Sequence, residues 1–282
     1  MSSIYRGMDR AALDLAYNNV RAEPEYRAIM GRFKEQSEAV YRNAEVRRDL
    51  RYGNRSRQRF DWLSCGKQAA PTFVFIHGGY WQNYVKEDLA FVARGPLERG
   101  FNVVMAEYTL APEASMTEIV DEIGALLDLL QWDTSEAGFG DRPVCVCGHS
   151  AGGHLAALHR DHPGVAMTVS VSGLYDLEPI SLCWLDDKLN LTEEEIARLS
   201  PLHRIARGAP TIVSVGMAEL PELIGQSQRY ATACEASGEN VIFLPLPEQR
   251  HFTILTDLAN PNGSHMAAIV DSLVFRPKTN FA

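Results

Sequence analysis

Cysteine is scarce and odd in number, five in 282 residues, and two of the five, Cys145 and Cys147, share one short apolar run. Such a set neither builds a disulfide framework nor spaces metal ligands, so these thiols read as small buried hydrophobes in a reducing compartment. No apolar stretch approaches the roughly 20 uninterrupted residues of a membrane span. The opening residues, Met1 to Arg10, also lack the apolar core of a signal peptide. A cytoplasmic protein without a membrane partner is the expectation. Positive charge is in short supply as well: 27 Lys and Arg against 36 Asp and Glu leave a net charge of −9, the wrong sign for nucleic acid. The one basic stretch, Arg47 to Arg59, is interrupted by Asp49, Tyr52 and Gly53 and reads as a solvated strand face. Repeats and low-complexity tracts are missing, and no His/Asp/Glu cluster has recognisable ligand spacing, so neither a metal nor another cofactor is expected.

What is present is a regular alternation. Thr72–Ile76, Phe101–Ala106, Val144 onward, Val165–Val171, Thr211–Val215 and Val241–Leu246 are short, nearly continuous apolar runs. All read as strands, and Thr72–Ile76 carries the mark of one buried on both faces of a parallel sheet. Helical spacing separates them over Lys86–Arg99, Met116–Trp132, Pro221–Ser237 and a last helix near Ser264–Val274. The pattern predicts an α/β fold, a doubly wound and mostly parallel sheet with helices on both faces. One domain over 1–282 is expected. A helical arm, which reads as helix from about Asp9 to Asp49 and is assigned to residues 1–45, precedes it, with a strand–turn–strand around Tyr52-Gly53-Asn54 between arm and core. Residues 174–200 break the rhythm and are expected to form a lid or pocket wall.

In such sheets ligands bind outside the carboxyl ends of the strands. Val144-Cys-Val-Cys-Gly-His-Ser-Ala-Gly-Gly153 puts G-x-S-x-G there, between a strand and an Ala/Leu-rich helix expected from Gly153. Glycines at 148 and 152 remove side chains that would collide in a sharp turn, which leaves Ser150 as the candidate nucleophile. A serine hydroxyl needs a base, and the base an orienting carboxylate, in the chain order Ser, acid, His. His77 and His149 belong to glycine turns; His154, His159 and His162 lie on or just past the helix behind the serine; His203 is in a connection and His265 on the last helix. His251, in the loop after the last strand, remains as the base. The loop after Thr211–Val215 offers Glu219 at its tip as the acid, with Glu222, already in the next helix, as the alternative. His77-Gly78-Gly79-Tyr80 follows a buried strand and exposes backbone N–H groups. Gly78, Gly79 and Tyr80, with Ala151, are therefore the expected oxyanion hole.

The chain resembles the arylformamidase (kynurenine formamidase)-like branch of the α/β-hydrolases. The likeness rests on Phe75-Ile-His-Gly-Gly-Tyr-Trp81, Gly148-His-Ser-Ala-Gly-Gly153, Ser200-Pro-Leu, Val215-Gly216 followed by Glu219, Pro221 and Glu222, and His251-Phe252. It extends from about Tyr41 to the last strand. Family members often carry Asp at the acid position, where this chain has Glu219. The resemblance implies cleavage of an aryl formamide such as N-formyl-L-kynurenine, with Ser150 attacking the formyl carbonyl and His251 protonating the departing arylamine. Tyr80, Trp81 and Trp184 are the candidate aromatic contacts to substrate, against a competing role in core packing. No basic residue suggests itself for an amino-acid carboxylate. A carboxylesterase or another small-molecule amidase with the same triad is the first alternative, and a non-catalytic ligand-binding protein of this fold the second. Exposed helices of doubly wound hydrolases often pair, so a homodimer is among the expectations.

Overall fold

The computed structural model describes residues 3–132, 140 and 142–274. Three helices open the chain, α1 (Arg10–Ala16), α2 (Asn19–Ala22) and α3 (Tyr26–Asn43), and an antiparallel pair follows, β1 (Glu45–Arg51) and β2 (Arg59–Ser64). The sequence pattern carries helix toward residue 49, but the helix stops at Asn43 and Glu45 already starts β1. The core then runs β3 (Thr72–Ile76), a 3-10 helix (Lys86–Ala93) leading into α4 (Arg94–Glu98), β4 (Asn102–Ala106), α5 (Met116–Trp132), β5 (Val144–His149), α6 (Ala151–Leu158) and β6 (Val165–Val171). Three short helices occupy the irregular segment, α7 (Glu178–Ser181), α8 (Asp186–Leu189) and α9 (Glu193–Leu199). The alternation resumes with β7 (Thr211–Gly216), α10 (Pro221–Ala236), β8 (Val241–Leu246), α11 (Ile254–Leu258) and α12 (Ser264–Val274). Among the described residues no helix is long and apolar enough to cross a membrane.

The eight strands form one sheet in the order β1-β2-β4-β3-β5-β6-β7-β8. From β4 to β8 all neighbours are parallel, and the first two strands pair antiparallel. The near-continuous apolar runs have a direct physical cause, because successive side chains point to opposite faces and both faces are covered. Val74 and Ile76 pack with Val104 and Val146 against α5 and α6, whereas Phe73 and Phe75 pack with Met105 and Cys147 against α3, the 3-10 helix, α11 and α12. The free cysteines 145 and 147 are core residues on that second face, as small hydrophobes should be.

Elsewhere the arm is fastened to the sheet by charge. Lys86 is wholly buried, with its ammonium 3.0 Å from Asp61 and 3.1 Å from Asp49 and paired also with Glu87. Burial alone would lower its pKa, but hydrogen bonds and charge from Glu87 and Asp61 hold it above the ordinary lysine value. Asp61 is itself buried and accepts from the Tyr41 hydroxyl on α3 at 2.6 Å and from the Asp49 N–H at 2.7 Å. One cation therefore ties α3, β1 and β2 together. Removing one partner of a buried pair leaves the other desolvated and uncompensated. Lys86→Met is expected to lower the unfolding free energy by about 3 kcal/mol. Urea denaturation of the variant beside wild type checks this; an unchanged midpoint would mean that the pair contributes nothing.

Candidate active site

Four loops leave the carboxyl ends of β3, β5, β7 and β8, and between them they supply every residue of the candidate constellation. The turn after β5 is the tightest. Ser150 sits at φ +57°, ψ −117°, a conformation unfavourable for a residue with a Cβ. Glycine is required on both sides of it. A Cβ at Gly148 would lie 1.9 Å from the Gly152 carbonyl oxygen, and one at Gly152 would lie 2.0 Å from the Ile76 carbonyl oxygen at the end of β3. The strained turn is held by hydrogen bonds from the Ser150 N–H to the Val171 carbonyl at 2.8 Å and from the His154 N–H to the Ser150 carbonyl at 3.0 Å. The helix begins directly after the serine, at Ala151, two residues earlier than the sequence pattern suggests. Its first N–H groups therefore sit beside the hydroxyl.

His251 and Glu219 meet. The imidazole Nδ1–H donates to Glu219 Oε2 at 2.7 Å, and the other carboxylate oxygen accepts from the Ser172 hydroxyl at 2.5 Å and the Gly216 N–H at 2.8 Å. The carboxylate is thus anchored from two strand ends before it reaches the histidine. Glu222, the alternative acid, stands elsewhere, 3.5 Å from the Tyr17 hydroxyl and 3.9 Å from Arg229. Ser150 and His251 line one cleft together with His149, Gly79 and Tyr80. His149 adds a second restraint that the sequence reading places only in the turn: its Nε2–H donates to the His251 carbonyl at 2.7 Å. Burial, reinforced by the neighbouring His251, pushes the His149 pKa well below the ordinary histidine value, so this ring stays neutral.

The glycine turn after β3 lies against Ser150. A Cβ on Gly78 would come within 2.8 Å of the His149 carbonyl oxygen and 3.1 Å of Ser150 Cβ. Gly79 adopts φ +97°, and its carbonyl accepts from the Gln82 and Asn83 N–H groups at 3.0 and 2.9 Å. Behind the turn, His77 Nδ1–H donates to the Gly78 carbonyl at 2.8 Å, while the ring stacks on Tyr108 with centroids 4.5 Å apart. Glu107 lies 3.3 Å from His77 Nε2 and is held by Arg57 at 2.5 Å. Burial acts to raise the Glu107 pKa, but His77, the Lys86 N–H and Arg57 together hold it below the usual carboxylate range. This support is invisible in the sequence, where only the position of Glu107 just after a strand hints at it.

The aromatic candidates divide. Tyr80 reaches the cleft, with its hydroxyl accepting from the Asn19 N–H at 2.9 Å and its ring 5.2 Å from that of Trp184. Trp184 is partly exposed on the irregular segment, where its backbone N–H donates to Asp14 at 2.7 Å. Trp81 is 0% exposed and packs edge-on against His154 in the core. The structure therefore corrects its expected place at the mouth: two successive residues at φ near +60°, Tyr80 and Trp81, send the second ring inward. Cleft residues that sequence reasoning missed are Met30, Tyr84, Leu89, Phe252 and Leu255. Of these, only Phe252 stands beside a residue already singled out.

A strained serine after β5, a carboxylate-bound histidine after β8 and a glycine turn after β3 on a mostly parallel sheet define an α/β-hydrolase. The BD-FAE family model matches residues 64–166. A kynurenine formamidase of Salmo salar is 31% identical over 206 residues, which cover 67% of this chain and 68% of that protein. The kynurenine formamidase of Danio rerio is 28% identical over 92% of this chain and 95% of its own length. A solved structure from Silicibacter sp. TM1040, described as a thioesterase, superposes with a TM-score of 0.80 at 28% identity, covering 92% of this chain and 98% of that one. The chain belongs to the kynurenine formamidase family and is a hydrolase of formamidase or esterase type.

Neutral buried histidines carry a pH consequence. His154 and His159, like His149, are desolvated, and burial lowers the pKa of both to about 4. Below the unfolded value of about 6.5 the unfolded chain binds protons that the folded one refuses. Their stability contribution is thus complete above about pH 6.5 and is lost as pH falls toward about 4. Chemical denaturation at stepped pH should show stability decreasing through this window, with a shallower slope in His154→Gln. An equal slope in the variant would contradict the assignment.

Proposed function

We propose that this hydrolase cleaves a small aryl amide or formamide of the N-formylkynurenine type through an acyl-enzyme on Ser150. The observation that carries the reading is the 2.7 Å hydrogen bond from His251 to Glu219, made at the rim of the cleft that also holds Ser150. In this mechanism His251 Nε2 takes the proton of the Ser150 hydroxyl as Oγ bonds to the formyl carbon. Glu219 fixes the ring through Nδ1–H and stabilises the imidazolium that forms. The carbonyl π electrons move onto oxygen, where N–H groups of the Gly78-Gly79-Tyr80 turn and Ala151 receive the negative charge. Collapse of the tetrahedral adduct breaks the C–N bond. The proton held by His251 passes to the leaving arylamine, and Ser150 is left as its formyl ester. A water molecule, deprotonated by His251, then attacks the ester and releases formate, which restores the hydroxyl.

The relatives named kynurenine formamidase favour a formyl amide, and the part-exposed Trp184 beside Tyr80 offers an aromatic edge for the leaving group. We read residues 174–200, which hold Trp184, as a pocket wall within a single domain.

The test is hydrolysis of N-formyl-L-kynurenine beside 4-nitrophenyl acetate. Ser150→Ala is expected to lower kcat by at least about 1,000-fold and Glu219→Gln by about 100-fold or more, whereas Glu222→Gln stays within about threefold of wild type. Turnover of the ester alone would make the protein a carboxylesterase. Full activity in Ser150→Ala would remove the serine mechanism.

A further inference from the structure

The N-terminal arm does more than pack on the sheet. Tyr26, at the start of α3, shares a hydrogen bond of 2.7 Å between its hydroxyl and that of Tyr84, and its ring lies 5.1 Å from that of Phe252. Beside it Glu23 pairs with Arg250 at 3.6 Å. The arm is thus clamped on one side to the loop after β3 and on the other to the loop that carries His251. One helical turn beyond Tyr26, Met30 is on the same face of α3 and becomes part of the lining of the cleft that contains Ser150.

That cleft is small. Traced by the centre of a water molecule, its volume is about 10 Å³, roughly what one bound water requires. Beyond the polar groups at its rim, its walls are Met30, Leu89, Phe252 and Leu255, with Tyr84. An aryl ring does not fit such a space, and neither does an alkyl chain of several carbons. A one-carbon acyl group does. The leaving group then has to lie outside this space, toward the partly exposed Trp184 that meets Tyr80 edge-on.

We propose that the N-terminal arm, through Met30 held by the Tyr26–Tyr84 contact, sets the upper size limit of the acyl group. This rests on Ser150 as the nucleophile and deepens that reading: the chemistry comes from the core of the fold, the acyl selectivity from a segment outside it. Met30 is a specificity-determining residue and not a catalytic one. It is only partly buried, so shortening it opens the cleft without emptying a core site.

The experiment is a series of 4-nitrophenyl esters, acetate, butyrate and hexanoate, whose common leaving group keeps intrinsic reactivity nearly constant. Wild type should lose at least about 10-fold in kcat/KM from acetate to butyrate, in line with what a methylene is worth in a tight apolar pocket. Met30→Ala should raise the butyrate-to-acetate ratio at least about fivefold, and Leu255→Ala, which widens the same cleft at a second lining residue, should raise it too. Equal rates across the series in wild type, or an unchanged ratio in Met30→Ala, would overturn the size limit set by the arm. Absence of both ester and formamide turnover in wild type would instead overturn the serine-hydrolase reading beneath it, and the size limit with it.

Discussion

Everything at this site depends on one imidazole being held in one orientation. His251 sits on a loop, and an unrestrained loop histidine would spend most of its time away from a serine buried to 3% exposure. Glu219 fixes its Nδ1 at 2.7 Å and His149 fixes its backbone carbonyl at the same distance, so ring and main chain are restrained independently. The carboxylate in turn is set by Ser172, after β6, and by Gly216, at the end of β7. Three adjacent parallel strands are therefore wired into this imidazole, and their register is fixed by a sheet whose two faces are both packed. Order in the core becomes order at the rim, which is how rigid elements position a loop-borne side chain.

The same economy governs the charges. His149 and His154, in and behind the Ser150 turn, are buried and kept neutral, while the buried acid Glu107 remains ionised because His77, the Lys86 N–H and Arg57 face it. Desolvation disfavours charge everywhere in this region, and only groups with an assigned partner keep it. The glycine turn after β3 is supported by such a partnered set. The arm is supported by another, centred on Lys86.

Much of this is legible in the sequence because the physics is local. Apolar runs mark six of the eight strands; five are buried along nearly their whole length, whereas β8, at the sheet's edge, buries only Leu246. The elbow is legible because Gly148 and Gly152 are demanded by atoms within a few residues or one strand away. Glu219 and His251 follow from chain order, and the preference for Glu219 over Glu222 agrees with where the two side chains lie. What cannot be read depends on contacts distant in sequence. Trp81 looks like a mouth residue because it follows the glycine turn, but two left-handed residues in succession rotate it into the core. Met30 and Tyr84 carry no motif, and they come to line the cleft of Ser150 through contacts distant in sequence, the hydroxyl pair of Tyr26 and Tyr84 among them. The short helix α11 escapes sequence reading because five residues give too little periodicity to register.

The proposed chemistry stands or falls on Ser150 as the nucleophile, made reactive by a histidine that Glu219 holds. Labelling with a fluorophosphonate, followed by peptide mass spectrometry, tests it most directly, because the reagent captures an activated serine whatever substrate that serine serves. A single adduct is predicted on the peptide containing Ser150, formed rapidly by wild type and strongly slowed in His251→Ala. An adduct on another serine, or a rate indifferent to His251, would contradict it.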